Sequence, residues 1–175
     1  LTNVPDPKSK EENTKPSTPS KQYKVILDTL DVTNIDELIP NMALKYDFKP
    51  DDFQYRSIYR LEHNDIVFVS APTSAGKTVI ADYAIQLALN HKMRAIYTSP
   101  IKALSNQKFD EFTKKFGDVV IVTGDISYNK KAPVLIMTTE ILWSKLYNGD
   151  DSLRDVETVI FDECHFISEK ERGVV

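Results

Sequence analysis

Ile66-Val67-Phe68-Val69-Ser70-Ala71-Pro72-Thr73-Ser74-Ala75-Gly76-Lys77-Thr78 is the stretch that decides how this chain folds. Its first residues are β-branched or aromatic, which predicts a strand over 66–70. Beyond it, Val79, Ile80, Tyr83, Ala84, Leu87 and Ala88 recur at helical spacing and predict a helix over 77–90. A strand that runs through a short loop into a helix brings backbone N–H groups together at the helix N-terminus. There they converge on phosphate oxygens, helped by the helix dipole. Gly76 lets the backbone approach closely, Lys77 supplies a positive charge to β- and γ-phosphates, and Thr78 offers a hydroxyl to Mg²⁺. Ala71 stands where the phosphate-loop pattern usually has its first glycine. Residues Ala71, Pro72, Thr73, Ser74, Ala75, Gly76, Lys77 and Thr78 are therefore expected to cradle the phosphates of a nucleotide.

Outward from this loop, short β-rich runs recur at 94–98, 119–123, 134–137 and 158–161. Helical patterns cover 101–116 and 139–146, and another is expected near 51–61, after Pro50. Several strands are apolar on both faces, as a covered parallel sheet requires. Strand alternating with helix predicts an α/β fold, with a mostly parallel sheet flanked by helices.

The run Thr158-Val159-Ile160-Phe161 ends in Asp162-Glu163-Cys164-His165. A carboxylate at the end of such a strand can hold Mg²⁺, directly or through water, and the next one can polarise an attacking water. Phosphate loop and acidic pair, each on its own strand, point to nucleoside triphosphate hydrolysis. Cys164 is either a nucleophile or a small residue packed beside the strand end, and its setting favours the second. His165 by itself is a metal ligand or a surface residue. Its neighbours favour a role beside the hydrolytic site, since neither His63 nor His91 sits at ligand spacing.

The 175 residues suffice for one domain, with 41% hydrophobic and 27% charged residues. A single cysteine forms no internal disulfide, which fits a reducing compartment. No apolar run approaches the ~20 residues of a membrane helix, and the polar start carries no secretory signal pattern. A net charge of −4 argues against a broad basic nucleic-acid footprint, though not against a narrow groove lined by a few lysines. Residues 1–22 hold four prolines among polar residues and are expected to be disordered. Residues 23–50 are expected to form a lead-in, and 51–175 a nucleotide-binding domain that is expected to be incomplete.

The motifs together make the family specific. Asp52-Phe53-Gln54, the loop from Thr73 to Thr78, Tyr97-Thr98-Ser99-Pro100-Ile101-Lys102-Ala103-Leu104-Ser105-Asn106-Gln107-Lys108 and Thr123-Gly124-Asp125 come in that order. Met137-Thr138-Thr139-Glu140-Ile141-Leu142, Asp162 to His165, and Glu171-Arg172-Gly173-Val174-Val175 follow. Over roughly 39–175 the chain resembles the superfamily 2 DExH-box RNA helicases of the superkiller type, the exosome-cofactor helicases. That resemblance implies a first RecA-like P-loop domain, truncated at the C-terminus, using ATP and Mg²⁺. The implied activity is ATP-driven 3′-to-5′ translocation along RNA, feeding it to an exosome-associated protein complex.

Carried over residue by residue, Lys77, Asp162, Glu163 and His165 would be catalytic, with Thr78 and Asp162 on the metal. Gln54 would read the adenine, with Phe53 nearby, and His165 would couple the nucleotide site to the RNA side. Ser99, Pro100, Lys102, Gly124, Asp125, Thr138 and Thr139 would line the RNA backbone. Read without the family, Ser99-Pro100 breaks a strand, Lys102 is a solvated charge, and Thr138-Thr139 caps a helix. Leu38-Ile39-Pro40-Asn41-Met42-Ala43 leans toward the cytoplasmic branch, with a nuclear location as the alternative.

Three positions depart from the family pattern. Trp143 stands where Arg is frequent; it either stacks on a base or packs in the core, and the core is the expected place. Pro72 replaces a frequent His, and Cys164 a more usual aliphatic residue. A second RecA-like domain would supply an arginine finger, so the 175 residues alone are expected to be inactive as a motor. Rival possibilities are a nucleotide- or partner-binding module without turnover and a DNA helicase of the same superfamily.

Overall fold

The structure, a computed structural model, describes residues 29–100, 102–123 and 132–164. The expected disorder of 1–22 lies outside these residues. In chain order the elements are α1 (Ile35–Leu38), α2 (Asp52–Glu62), α3 (Thr78–Asn90), β1 (Arg94–Ser99) and α4 (Lys102–Phe116), followed by β2 (Val119–Ile121), β3 (Val134–Thr138), α5 (Thr139–Tyr147) and β4 (Val156–Phe161). The four strands form one sheet in the order β2-β3-β1-β4, and every pairing is parallel.

Alternation along β1 sorts its side chains between two apolar layers. Ala95 and Tyr97 enter a core with Ile85 and Ala88 of α3, Phe112 of α4, and Val134 and Ile136 of β3. Ile96 faces the other side, with Leu135, Met137, Val122 and Leu142 of α5. The sheet is thus covered on both faces, which is why β1 and β3 read as nearly continuous apolar runs. Phe112 is completely buried and meets Tyr97 edge-on, with ring centroids 5.1 Å apart. Deleting a ring so placed typically costs about 3–5 kcal/mol.

The lead-in is part of the folded unit. Val32, Ile35 and Ile39 pack with Ile58 of α2 and with Tyr83 and Leu87 on the outer face of α3. Polar bonds fasten the same layer: Tyr46 donates to the Val79 carbonyl at 3.1 Å, and the Ala43 N–H donates to the Tyr83 hydroxyl at 2.9 Å. Arg56 Nε also donates to the Leu30 carbonyl at 2.8 Å. So α3 lies between the sheet and this outer layer, apolar on both sides.

One expected strand is corrected. Residues 66–70 pair with no described residue and form no strand. Their β-rich composition supplies propensity, but a strand needs a partner to complete its ladder. Ile66 is fully exposed and Phe68 is 79% exposed. Val159 and Phe161 are exposed too, on β4, the outer strand of the described sheet.

On the α3–α4 seam, the Asp82 carboxylate accepts from Lys115 Nζ at 2.5 Å while its side chain is only 8% exposed. Its other oxygen is buried and meets no protein donor among the described residues. Burial pushes the Asp82 pKa up and outweighs the opposing pull of Lys115. The folded state therefore holds the Asp82 proton more tightly than the unfolded chain does. Ionisation costs stability as pH rises from the ordinary aspartate value, about 3.9, through the raised folded value. Asp82→Asn abolishes that titration. Its melting temperature relative to the parent should climb as pH rises through that window and then level off. A difference independent of pH, read by thermal denaturation, would contradict the assignment.

Candidate nucleotide site

The loop between 70 and 78 is held from beneath by α2. Asp51 caps that helix, and a capping box forms in which the Asp51 N–H donates to Gln54 Oε1 at 2.8 Å. With its oxygen so engaged, the buried Gln54 turns its NH₂ to the loop, donating to the Gly76 carbonyl at 3.0 Å and the Ala75 carbonyl at 3.5 Å. Glycine suits position 76 on two counts. Its φ of 77° is left-handed, and a Cβ there would lie 2.7 Å from Gln54 Nε2. Phe53, expected beside the adenine, is half-buried, and its carbonyl accepts from Ser57 at 2.7 Å.

Thr73–Ala75 make one 3₁₀ turn, closed by the Ala75 N–H on the Pro72 carbonyl at 3.0 Å. Helix α3 begins at Thr78, directly after Lys77. The first N–H groups of a helix have no acceptor four residues back, and they carry the positive end of its dipole. Lys77 Nζ folds back onto the loop, donating to the carbonyls of Ala71 at 2.9 Å and Pro72 at 3.1 Å. Neither acceptor is an anion, so phosphate oxygens are better partners for the same ammonium. The residues therefore suit a polyphosphate.

The acidic pair sits at the C-terminal edge of the sheet, directly after β4. The Asp162 N–H donates to the Thr98 carbonyl at 3.1 Å, carrying the β1–β4 ladder one residue past β4. Its carboxylate accepts from the Glu163 N–H at 2.9 Å through Oδ1 and from the Tyr97 hydroxyl through Oδ2. Burial, then the neighbouring carboxylate, push the Tyr97 pKa up, so the phenol keeps its proton and acts as donor. Glu163 has a left-handed φ of 51°, a conformation that costs an L-residue roughly 1–2 kcal/mol. Thr78 Oγ1 and the Asp162 carboxylate are hard oxygen donors, few in number. That set suits Mg²⁺, which keeps several waters and shares phosphate oxygens. Cys164 is a free, partly exposed thiol next to this pair.

The residues expected on the RNA side fall on the same edge where they are described. Ser99 and Thr138 are register partners at the ends of β1 and β3. Ser99 is buried, and its hydroxyl accepts from Ser105 at 3.4 Å. Thr138 occupies the N-cap position of α5, yet its side chain makes no capping hydrogen bond. Pro100 and Thr139 are partly exposed. Gly124, Asp125 and His165 lie outside the described residues, as does the side chain of Lys102.

Trp143 is corrected: it is 50% exposed and stacks on Tyr147 with centroids 5.7 Å apart and planes 22° apart. Residues four apart share a helix face, and Leu142 takes the core-facing position on α5 instead. Sequence reasoning missed Tyr97 as part of the site. It reads as one more apolar strand residue, and nothing in its spacing signals the reach of its hydroxyl to Asp162. The Asp51/Gln54 capping box did have a signal, an Asp three residues before a Gln at a helix start.

Lys77→Ala leaves the loop backbone in place and removes its ammonium. Nucleotide affinity, measured by fluorescent-nucleotide titration, should fall at least about tenfold with the melting temperature little changed. Unaltered affinity would reject the loop as a phosphate seat.

Residues 51–175 match the DEAD/DEAH box helicase family. The chain is 56% identical to mouse Superkiller complex protein 2 over 158 residues, covering 90% of this chain and 13% of that protein. It is 57% identical to the Saccharomyces cerevisiae Antiviral helicase SKI2 over 146 residues, 82% of this chain and 11% of that one. Against the Schizosaccharomyces pombe ATP-dependent RNA helicase mtr4 it is 56% identical over 133 residues, 76% of this chain and 12% of that protein. The chain thus spans about an eighth of the length of these relatives. With the family's match running through both the phosphate loop and the acidic pair, the chain belongs to the DEAD/DEAH box helicases.

Proposed function

We propose that this chain is the nucleotide-binding part of an ATP-dependent RNA helicase that moves 3′ to 5′ and passes RNA to an exosome-associated complex. One observation carries the nucleotide half: a lysine-bearing loop opens α3, which packs on the sheet, and an ordered Asp-Glu pair follows β4 at the sheet's C-terminal edge. The RNA half rests on likeness to the superkiller proteins and to a relative named an ATP-dependent RNA helicase. Direction of travel, the exosome partner and a cytoplasmic location rest on that likeness alone, the last on residues 38–43.

In this account the phosphate loop holds ATP by its β- and γ-phosphates. Mg²⁺, held by Thr78 and Asp162, would neutralise charge between those phosphates. Lys77 leaves the Ala71 and Pro72 carbonyls and places its charge on the γ-phosphate, where negative charge develops during transfer. Glu163 accepts a proton from the water that attacks in line. Gln54 steadies the loop from below through Gly76, in addition to any contact with the base. Ser99, Pro100, Lys102, Gly124, Asp125, Thr138 and Thr139 contribute backbone contacts to RNA, and His165 links the two sites. Phosphate contacts without base recognition suit a motor that must pass any sequence.

Glu163→Gln in the full-length protein keeps the side chain's size but removes its proton acceptor. RNA-stimulated ATP hydrolysis should fall by roughly a hundredfold or more, while ATP and RNA still bind. Hydrolysis at the parent rate would remove Glu163 from the chemistry. Parent turnover stimulated by single-stranded DNA rather than RNA would make the protein a DNA helicase. Nucleotide binding without any turnover would make it a binding module.

A further inference from the structure

Tyr97 is the fourth of the six residues of β1 and sits almost wholly inside the core. Its register partner on β4 is Ile160. Asp162 lies two residues further along and so falls on the same face as Ile160, a diagonal neighbour within reach of a long side chain. The Tyr97 ring is anchored edge-on by Phe112, and its hydroxyl ends on Asp162 Oδ2. Oδ1 accepts from the Glu163 N–H, so the carboxylate is held at both oxygens, while the Asp162 N–H on the Thr98 carbonyl fixes its backbone. Among the described residues, Tyr97 supplies the one side-chain bond to that carboxylate.

We propose that Tyr97 is a positioning residue for the reaction, its hydroxyl holding the Asp162 carboxylate in the single orientation that receives the divalent cation. This rests on the assignment of Asp162 to Mg²⁺ made above. A carboxylate ligand left to rotate presents its lone pairs to the metal only part of the time, and the outer hydrogen bond removes that freedom before the metal arrives. A phenol buried in the core suits the task, because its ring cannot move away without opening the packing around Phe112. It also donates without carrying charge, so it orients the carboxylate without neutralising it.

Tyr97→Phe keeps the ring and deletes only the hydroxyl. In the full-length protein, fluorescent ADP is titrated at a series of Mg²⁺ concentrations and again in EDTA. The parent should show Mg²⁺-dependent tightening of ADP binding. Tyr97→Phe should need about tenfold more Mg²⁺ for half of that tightening, with ADP affinity in EDTA unchanged. Ile58→Val, which trims the separate core layer between α2 and α3 and leaves Tyr97 and its hydroxyl untouched, should lower the melting temperature and leave the Mg²⁺ midpoint alone. An identical Mg²⁺ midpoint in Tyr97→Phe and parent overturns the proposal. So does failure of Tyr97→Phe to fold, because the hydroxyl would then serve stability rather than orientation. A parent protein whose ADP affinity ignores Mg²⁺ would instead overturn the metal assignment on which the proposal stands.

Discussion

Ala95 to Ser99 are bonded on one side to β3 and, through Thr98, on the other to β4, all running the same way. Parallel pairing forces every strand to deliver its carboxyl end to the same edge of the sheet. That edge therefore collects Ser99, Thr138 and Asp162, residues widely separated in sequence. Covered by α3 and α4 on one face and α5 on the other, the sheet has no freedom to shift register without exposing Tyr97, Ile136 or Met137. The site's geometry is a consequence of this buried ladder more than of any local contact.

The nucleotide loop is tied to the ladder through helices. Helix α3 is pressed on the sheet by Ile85 and Ala88, and on its outer side by α2 and the lead-in through Tyr83 and Leu87. Gln54 completes the link by bonding the loop that precedes α3. A displacement of the lead-in would be felt at Gly76, because Arg56 on α2 is bonded to Leu30 and Gln54 lies on the same helix. The acidic pair is tied to the sheet more directly, by Tyr97 and the Thr98 carbonyl. The two halves of the site thus share β1 as their common support.

Much of this was legible in sequence because its signals are local or periodic. Apolar spacing marked α3 and α4, continuous apolar runs marked the buried strands, and Gly76-Lys77-Thr78 marked the helix start. What escaped depended on partners far away in the chain. Residues 66–70 have the composition of a strand, but no described neighbour completes their ladder. Trp143 was placed in the core by its apolar nature, whereas its phase on α5 leaves Leu142 facing inward and the indole outside. The lead-in gave no sign of its packing partners, yet Ile35 and Ile39 are spaced to share a face and are both buried. Tyr97 was missed because one polar atom at the tip of a core side chain has no sequence pattern.

The central claim is that residues 71–78 seat the phosphates and that Lys77 leaves its loop carbonyls to do so. The measurement that bears on it most directly is a crystal structure of the protein with ADP and Mg²⁺. The account expects the β-phosphate against the backbone N–H groups that open α3, with Lys77 Nζ withdrawn from Ala71 and Pro72 and bonded to phosphate oxygen. A nucleotide bound elsewhere, with Lys77 still bridging those two carbonyls, would contradict it.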